Sequence, residues 1–504
     1  MGFALAARRR SGGEWMSNGL VALVAMVCFI PFSLYLCHRL PRASAISVVV
    51  LAGSLFLPES VALLDLPLIA AIEKERITYL CALIGIFTYH KRTFLAARPG
   101  RGPEAVFLLV VLALLGTWQL NTEPMINYDR TQEALGIYWV VVRSVEDLLT
   151  FVVPFVVGRI AFQSREDLRT LAYALVAGGL VYVPLIILEA AMSILFRVWH
   201  LSPLIYGVSL GGVVQRWGEV QPVVFMDNAL SLASFMAVAT IMAAAFAASK
   251  STAVWRGIRR AHLLTQLGLL LTRVTSSNLY GLALGLGLRA FKPAFSARLA
   301  VMIAAFVCAY PLLRLADLFP YEWVVQLAHD LINEERARSF EGRFLEEDFV
   351  FEGLGSRVGF GWGMFDRIPG AATFGVGEVG LDSYLIIRIG LTGVLGTELV
   401  FLFLMIPVWV AWRNLRFVAD RESQFLMAGL MLCIAARMTD FLLNGLWNYL
   451  PFFLAGALYG IAKSTSRPDA GWALPVDAGL IKGPRQRAAL GRGAVGRVSG
   501  QNRR

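Results

Sequence analysis

The chain has 504 residues, of which 57% are hydrophobic and only 16% are charged, with a formal net charge of +11 and a mean hydropathy of +0.64. Soluble domains contain roughly 45–50% apolar and about 25% charged residues, so this composition excludes an ordinary soluble enzyme. Apolar stretches close to the roughly 18–20 residues that cross a bilayer recur along the chain, which also excludes a single hydrophobic anchor. The sequence therefore predicts an all-α, polytopic transmembrane helix bundle.

Candidate membrane helices follow the apolar runs from the N-terminus onward. They are predicted at 19–37, 44–58, 60–73, 77–90, 104–121, 146–163, 169–195, 223–248, 261–273, 277–290, 298–316, 379–410, 425–437 and 447–463, about twelve to fourteen in total. Residues 1–18 are basic and lack a clear small-residue cleavage site, so we expect a cytoplasmic leader before an uncleaved first helix. The helices divide into an N-terminal bundle, 19–316, and a C-terminal set, 379–463.

Lysine and arginine collect in short loops that are expected to stay in the cytoplasm. These loops are 90–101, 249–260, 289–298 and 413–421. The tail, 464–504, begins beside Lys463, and from that residue onward nine Lys/Arg face two Asp, a net charge of +7. Its composition predicts a disordered cytoplasmic end that contacts anionic membrane lipid rather than nucleic acid.

The segment 317–378 has the opposite charge. It holds twelve Asp/Glu against five Arg, a net charge of −7, which predicts one long loop on the external, periplasmic face. Connections of this length are usually functional. Shorter external loops are expected at 121–145 and 197–222.

Glycine and aromatic residues alternate in VGFGWGMF, residues 358–365, within that loop. The strand-loop-helix context of a dinucleotide site and the Gly-Lys-Ser/Thr of a P-loop are both missing from the sequence. Glycines at 359, 361 and 363 instead predict a tight backbone bend against the membrane. Trp362 is expected either to lie at the lipid interface or to stack on the apolar face of a sugar.

Two arginines of the external face, Arg216 in QRWGE and Arg343 in EGRFLEED, are candidates for binding a diphosphate. The planar guanidinium matches phosphate oxygens in a bidentate way. Each arginine also has acidic neighbours with which it could pair. These are Glu219 for Arg216, and Glu346, Glu347 or Asp348 for Arg343.

Two carboxylates, Glu378 and Asp382, lie four residues apart where the loop re-enters the membrane. On a helix they would face the same side. A carboxylate partly withdrawn from water suits a general base that removes a hydroxyl proton. Asp382 could alternatively cap the helix that begins with SYLIIRIGL.

Other polar residues fall inside predicted spans, where charge is costly and usually faces a bundle interior or a cavity. They are Asp227, Asn228, Arg388, Arg437, Asp440 and Asn444, and Asp227 is one candidate partner for Arg388. The five cysteines show no metal-ligand or redox spacing, and the five histidines form no cluster. We therefore expect no metal site and no cofactor.

In their order along the chain, these motifs resemble the O-antigen ligase and O-antigen polymerase superfamily of bacterial envelope proteins. The motifs are QRWGEVQPVVFMDNALSLASFM, LLLTRVTSSNLYGLALGLGL, EGRFLEEDFVFEGLGSRVGFGWGMF and LDSYLIIRIGLTGVLG. The resemblance covers about residues 200–400 by motif and the whole chain by hydropathy. It implies a fold similar to membrane-embedded C-type glycosyltransferases.

The resemblance also implies an activity, the metal-independent, inverting transfer of a glycan from undecaprenyl diphosphate to an acceptor hydroxyl. Arg216 and Arg343 match the arginines that handle the diphosphate, and the glycine pattern matches Gly359, Gly361, Gly363 and Phe365. We include Arg357 and Trp362 in the same substrate-binding set. Asp382 is the expected base, assisted or replaced by Glu378.

Two positions depart from the ligase pattern. Ligases carry histidine followed by asparagine where this chain has Asp382 and Ser383, and polymerase-like members often have Asp-Ser or Asp-Asn there. The usual Thr-x-Ser-Arg element is only partly present around Thr275 and Ser277. The resemblance thus favours a polymerase of exopolysaccharide or O-antigen repeat units in the bacterial inner membrane, with flippase and chain-length regulator proteins as possible partners.

Three other functions stay open at this point. The first is an O-antigen ligase that transfers glycan to lipid A-core or another acceptor. The second is a membrane transporter or lipid-glycan flippase, whose path would be lined by the intramembrane charges. The third is a structural partner in an envelope assembly, for which the external arginines and Asp382 would be replaceable.

Overall fold

The computed structural model describes eleven stretches of the chain. They are residues 19–59, 61–66, 69–127, 130–196, 200–208, 215–216, 219–250, 257–331, 334–369, 383–445 and 449–465. Within them the chain is almost entirely helical, and the three short hairpins contain two to four residues per strand. The all-α, polytopic class predicted from composition is confirmed.

The N-terminal half contains nine α-helices and three antiparallel hairpins among the described residues. The helices are α1 (Leu20–Arg39), α2 (Arg42–Phe56), α3 (Lys74–Tyr89), α4 (Lys91–Ala97), α5 (Val106–Gln119), α6 (Ile137–Asp147), α7 (Val153–Ala161), α8 (Arg165–Phe196) and α9 (Leu201–Tyr206). The strands are β1 (Leu64–Leu66) with β2 (Ile69–Ile72), β3 (Met125–Asn127) with β4 (Arg130–Gln132), and β5 (Gln215–Arg216) with β6 (Glu219–Val220). A single π-helical turn, Leu148–Val152, joins α6 to α7.

The C-terminal half continues with nine more described helices. They are α10 (Ala229–Ser249), α11 (Ile258–Leu271), α12 (Thr275–Ala290), α13 (Pro293–Leu315), α14 (Tyr321–Leu331), α15 (Glu334–Leu354), α16 (Tyr384–Asn414), α17 (Arg421–Leu443) and α18 (Leu450–Ser464). Among the described residues, six helices are long and apolar enough to cross a membrane: α1, α8, α10, α13, α16 and α17. The number of crossings, about twelve to fourteen, stays a prediction.

One predicted helix, 60–73, is wrong, because the described part of this stretch forms the β1–β2 hairpin. Its sequence reads SVALLDLPLIAAIE, with Pro67 at the centre. Proline lacks the amide hydrogen that a helix interior requires, so it favours a turn at this point. The hairpin satisfies the flanking backbone groups by pairing Leu64 with Ile72 and Leu66 with Ile69.

Ion pairs show which loops share an end of the bundle. Arg42 pairs with Asp167 (3.2 Å) and Arg165 pairs with Asp420 (3.1 Å), so the start of α2, the start of α8 and the start of α17 lie together. We call this the basic end, because the basic loops adjoin it. The opposite end carries the segment 317–369 and is called the acidic end. Assignment of the basic end to the cytoplasm stays a prediction from the charge distribution.

The first described helix, α1, runs from the acidic end to the basic end. Cys37, near its C-terminus, lies against Gly85 of α3, and His38 contacts the ring of Tyr89, whereas α1 also packs against α9 at the acidic end. The chain therefore enters α1 at the acidic end. Residues 1–18 lie outside the described part of the chain, so their placement on the cytoplasmic side stays a prediction.

The acidic segment is not an extended loop where it is described. It forms two helices, α14 and α15, that pack against each other and, through α15, against α16. Trp323 is 63% exposed on α14, beside the exposed Leu327. Helical structure satisfies the backbone of this long connection internally, which explains how it can cover the acidic end of the bundle.

Candidate functional site

Six polar side chains meet at the acidic end of the bundle, where α10, α12 and α17 come together. This Asp440 cluster consists of Ser234, Ser277, Tyr280, Arg437, Asp440 and Asn444. Asp440 is at its centre and is 2% exposed. Its carboxylate accepts hydrogen bonds from Arg437 Nη1 (2.5 Å), Ser234 Oγ (2.8 Å) and Asn444 Nδ2 (2.6 Å). These donors compensate the buried carboxylate for the loss of water.

Helical spacing explains why these residues converge. Arg437, Asp440 and Asn444 follow one another at three and four residues, which places them on one face at the end of α17. Ser277 and Tyr280 are three residues apart in the first turns of α12, and their hydroxyls lie 3.2 Å from each other. The Tyr280 hydroxyl also lies 3.3 Å from Asp440 Oδ2, so it joins α12 to α17.

Arg437 retains donor capacity. Its side chain is 1% exposed and Nη1 is bonded to Asp440, but Nε and Nη2 have no hydrogen-bond partner within the described part of the chain. A guanidinium that offers two adjacent N–H groups is suited to the oxygens of a phosphate or carboxylate. Arg437 is therefore a candidate anion-binding residue, whereas the sequence alone identifies it only as an intramembrane charge.

Arg343 of α15 lies beside the same cluster. Its Nη2 lies 3.5 Å from Asn444 Oδ1, a long contact at the limit of hydrogen bonding. The backbone amide of Tyr384, the first residue of α16, donates to the carbonyl oxygen of Asn444 (3.1 Å). Asn444 thus connects α15, α16 and α17 around one point.

The position of α15 is fixed by Arg314, near the end of α13. Arg314 Nε donates to Glu347 (2.8 Å), its Nη2 donates to Asp348 (2.6 Å), and the Tyr310 hydroxyl donates to Glu347 (2.8 Å). Burial raises the pKa of the Glu347 carboxyl, and the hydrogen bonds from Arg314 and Tyr310 oppose that rise. Two of the acidic residues proposed as partners of Arg343 thus bind Arg314, one turn further along α15.

An apolar groove of about 530 Å³ runs alongside the cluster, between α12, α13 and α17. It is lined by Leu279, Tyr280, Ala283, Leu284, Leu299, Met302, Ile303, Phe306, Ala436 and Thr439. Leu279 is 65% exposed and Met302 is 58% exposed, so the groove opens on the side of the bundle that faces lipid. Tyr280 belongs to both features, because its ring lines the groove and its hydroxyl enters the Asp440 cluster.

Arg388 does not pair with Asp227, the partner predicted from the sequence. It forms a bidentate ion pair with Asp147, the last residue of α6, at 3.0 and 2.7 Å. Arg388 is 0% exposed and the Asp147 side chain is 2% exposed. Asp227 is exposed and accepts a hydrogen bond from its neighbour Asn228, which caps α10 by accepting from Ser231 N (2.9 Å).

The glycine-rich segment packs backbone to backbone on a break in α16. Gly393 has φ 67° and ψ −176°, which interrupts the helix, and Gly361 and Gly363 also have positive φ. The amides of Trp362 and Gly363 donate to the carbonyl oxygens of Gly390 and Leu391, both at 2.8 Å. The amides of Val394 and Leu395 donate in turn to Val358 and Gly359. The predicted tight bend against the membrane helices is present, and it gives Gly361 and Gly363 a structural role.

Replacing Gly361 by alanine is expected to destabilise the fold by at least about 2 kcal/mol. A Cβ atom there would lie 2.5 Å from the backbone nitrogen of Gly393, at a φ of +73°. Gly359→Ala is the matched control, since its Cβ would meet nothing within 4 Å. Thermal unfolding in detergent should show a lowered Tm for Gly361→Ala alone, and equal Tm values would contradict the packing role. A folded Gly359→Ala variant that lost activity would support the predicted substrate contact at Gly359.

Trp362 and Arg357 are stacked on each other. The guanidinium carbon of Arg357 lies 4.0 Å from the centre of the indole ring, and Arg357 Nη2 donates to the carbonyl oxygen of Leu120 (3.1 Å). Trp362 is 8% exposed, and its indole nitrogen donates to the carbonyl oxygen of Gly353 (3.1 Å). Trp362 therefore lies beneath the surface, and Arg357 is the member of the pair that is open to a ligand.

Three predicted site residues have side chains outside the described part of the chain. They are Glu378 and Asp382, which are not described, and Arg216, for which only the strand pairing with Glu219 is described. The helix-cap role considered for Asp382 belongs instead to Ser383, whose side chain accepts from Ile386 N (3.1 Å). The role of Asp382 as a base stays a prediction.

No protein-family model matches the chain, and no curated protein matches it. The sequence indicates Arg437, Asp440 and Asn444 only as polar residues within a span and not as a site, and it gives no sign of Ser234 and Tyr280 beyond a hydroxyl one turn inside each of two neighbouring apolar helices.

Proposed function

We propose that the chain polymerises oligosaccharide repeat units carried on undecaprenyl diphosphate, at the periplasmic face of the bacterial inner membrane. The observation that carries the proposal is the junction between the lipid-facing groove and the Asp440 cluster. Arg437 has two N–H groups without a partner among the described residues at that junction. A polyprenyl diphosphate combines a long apolar chain with an anionic head, and the junction offers a complementary surface to each part.

Each part of the substrate has candidate partners. The isoprenoid chain lies in the groove. The diphosphate is bound by Arg343 and Arg216, the two arginines predicted from the sequence, and by Arg437 of the Asp440 cluster. Arg357, which immediately precedes the glycine-rich segment 358–365, is placed beside the saccharide. Asp382, assisted or replaced by Glu378, takes the proton of the acceptor hydroxyl.

The reaction is a single displacement at the anomeric carbon. The bond from the acceptor oxygen to this carbon forms while the bond from the carbon to the diphosphate oxygen breaks, so the configuration inverts. The hydroxyl proton passes to the carboxylate, and the bonding electrons leave with the diphosphate. Arginine donors stabilise the charge that develops on this leaving group, and electrostatic stabilisation of this kind usually accelerates a reaction more than any other single effect. A nucleotide sugar is not needed, because the lipid diphosphate already activates the glycan.

The experiment that tests the proposal is gel analysis of surface and lipid-linked glycan in cells that lack the protein. The cells are complemented with the wild type, with Asp382→Asn or with Asp330→Asn, whose exposed carboxylate on α14 provides a matched acid in the same segment. We expect the wild type and Asp330→Asn to restore the ladder of long chains. We expect Asp382→Asn to leave single repeat units on the carrier, at wild-type protein level.

Other patterns would indicate the other functions. Full-length chains that stay on the carrier in the deletion strain would indicate a ligase. Loss of repeat units from the periplasmic side of the membrane would indicate a flippase or transporter. A normal ladder with Asp382→Asn would contradict the proposed base, and a normal ladder in the deletion strain would contradict polymerisation altogether.

A further inference from the structure

A single carboxylic acid lies in the middle of the longest helix of the C-terminal half. Glu398 is about midway along α16, which has 31 residues and is among the helices able to span a membrane. Leu395 and Leu402, one turn before and one turn after it, are 44% and 42% exposed. Because residues three and four apart share a helix face, Glu398 belongs to the face that α16 presents to lipid.

Glu398 has no cationic partner in the part of the chain that the structure describes. Its Oε1 is buried without a hydrogen-bond partner, and no ion pair joins Glu398 to a basic side chain within the described ranges. The charged residues of its own helix, Arg388 and Arg413, are about 15 Å and about 22 Å away along the axis. Arg388 is already paired with Asp147.

Among the described residues of α5, α13 and α17, which pack against α16, no charged side chain forms an ion pair with Glu398. On α13, the Cys308 sulfur lies 3.6 Å from Met405 Sδ, and Arg314 near the end of the helix is bonded to Glu347 and Asp348. On α5, which packs against the next residue, Leu399, no side chain is titratable. The charged residues of α17 near the acidic end, Arg437 and Asp440, are bonded to each other.

An ionised carboxylate in hydrocarbon without a partner is strongly disfavoured against its neutral form. We propose that Glu398 is a proton-binding site which faces the lipid, holds its proton at neutral pH, and reacts with hydrophobic carbodiimides. The site is separate from the Asp440 cluster and does not depend on the proposed glycan chemistry.

The proposed reaction needs the acid in its protonated form. The carboxylic acid transfers its proton to one nitrogen of the carbodiimide, and a carboxylate oxygen then bonds to the central carbon as one carbon–nitrogen double bond becomes single. The resulting O-acylisourea rearranges by moving the acyl group to nitrogen, which gives a stable N-acylurea. Every atom of both reactants is retained, so no further reagent is required.

The test uses the full-length protein in lipid vesicles, treated with dicyclohexylcarbodiimide between pH 5 and pH 9 and mapped by peptide mass spectrometry. We expect one reagent molecule on Glu398 at pH 7, loss of this label in Glu398→Gln, and a decline of the label at the alkaline end. Glu347 provides a matched control, because it is 3% exposed but is bonded to Arg314 and Tyr310. We expect Glu347 to remain unlabelled, and a water-soluble carbodiimide to label the exposed Asp330 but not Glu398.

Labelling of Glu398 in the wild-type protein tests the proposal without relying on any variant. Absence of the adduct at Glu398, in a preparation whose exposed Asp330 is labelled normally by the water-soluble carbodiimide, would overturn the proposal. So would loss of the label above pH 6, which would mean that the group is already ionised at neutral pH. Equal labelling by the water-soluble reagent would show that the carboxyl faces water instead of lipid.

Discussion

Arg343→Ala is expected to lower the yield of long-chain glycan by about 100- to 1,000-fold while the protein level stays that of the wild type. Arg343 is half-buried above the Asp440 cluster, with Nη2 3.5 Å from Asn444 Oδ1. In the proposed function, its guanidinium stabilises the negative charge that develops on the departing diphosphate. Folding should survive, since the helix that carries Arg343 is held by Arg314 through Glu347 and Asp348. Gel analysis of pulse-labelled glycan measures the change.

Two further variants separate recognition of the diphosphate from a general effect of charge. Arg338→Ala removes an arginine from the same helix, but this side chain is 74% exposed and pairs with Glu334, so we expect a normal ladder. Arg343→Lys keeps the charge and loses the planar fork, so we expect partial activity. A full ladder with Arg343→Ala, or an equal loss with Arg338→Ala, would contradict the role assigned to Arg343.

Arg388→Met is expected to cost about 3–5 kcal/mol of stability, the largest effect on folding of the variants considered. The substitution leaves the Asp147 carboxylate, which is 2% exposed, without its bidentate partner. Arg143 Nη2, at 3.4 Å, would remain its nearest cation, but Arg143 also pairs with Glu146. Thermal unfolding in detergent, followed by the loss of monomeric protein on size exclusion, measures the change in Tm.

The double variant Arg388→Met with Asp147→Leu tests the reason for that loss. When both charges are removed, no buried charge is left uncompensated, and apolar side chains fill the space. We therefore expect the double variant to recover most of the stability that Arg388→Met loses. If the double variant were no more stable than Arg388→Met, packing around Arg388, including its contact with the Phe151 ring, would be the dominant contribution rather than the ion pair.

The sequence predicted the membrane helices well where the apolar run was long. The run predicted at 169–195 is realised as α8, Arg165–Phe196, because roughly 20 apolar residues leave a helix as the simplest way to satisfy the backbone in lipid. The helix predicted from the short apolar run at 60–73 is wrong, because hydropathy does not distinguish a short buried helix from a short apolar hairpin. The two helices within 317–369 were missed because their charged sequence carries no apolar run.

The candidate site was predictable residue by residue but not as an arrangement. Asp440 and Arg437 stand out in the sequence as charges within an apolar run, and both are buried in the structure. Their partners Ser234 and Tyr280 come from other helices, and hydroxyls in apolar helices give a weak signal. Arg388 shows the same limit: its partner lies 241 residues away in the chain, and no local pattern connects the two.

The break in α16 at Gly393 constrains how the protein can be made. At this break the backbone groups that a continuous helix would pair internally are bonded to residues 358–363. In lipid, each such group left without a partner would cost several kcal/mol. Residues 358–363 precede α16 in the chain, so they leave the ribosome first and are available when the break arrives. Synthesis from the N-terminus therefore produces the backbone partners in residues 358–363 before α16, whose broken helix needs them. A circular permutant that reversed this order would have to insert α16 while the backbone groups at its break had no hydrogen-bond partners.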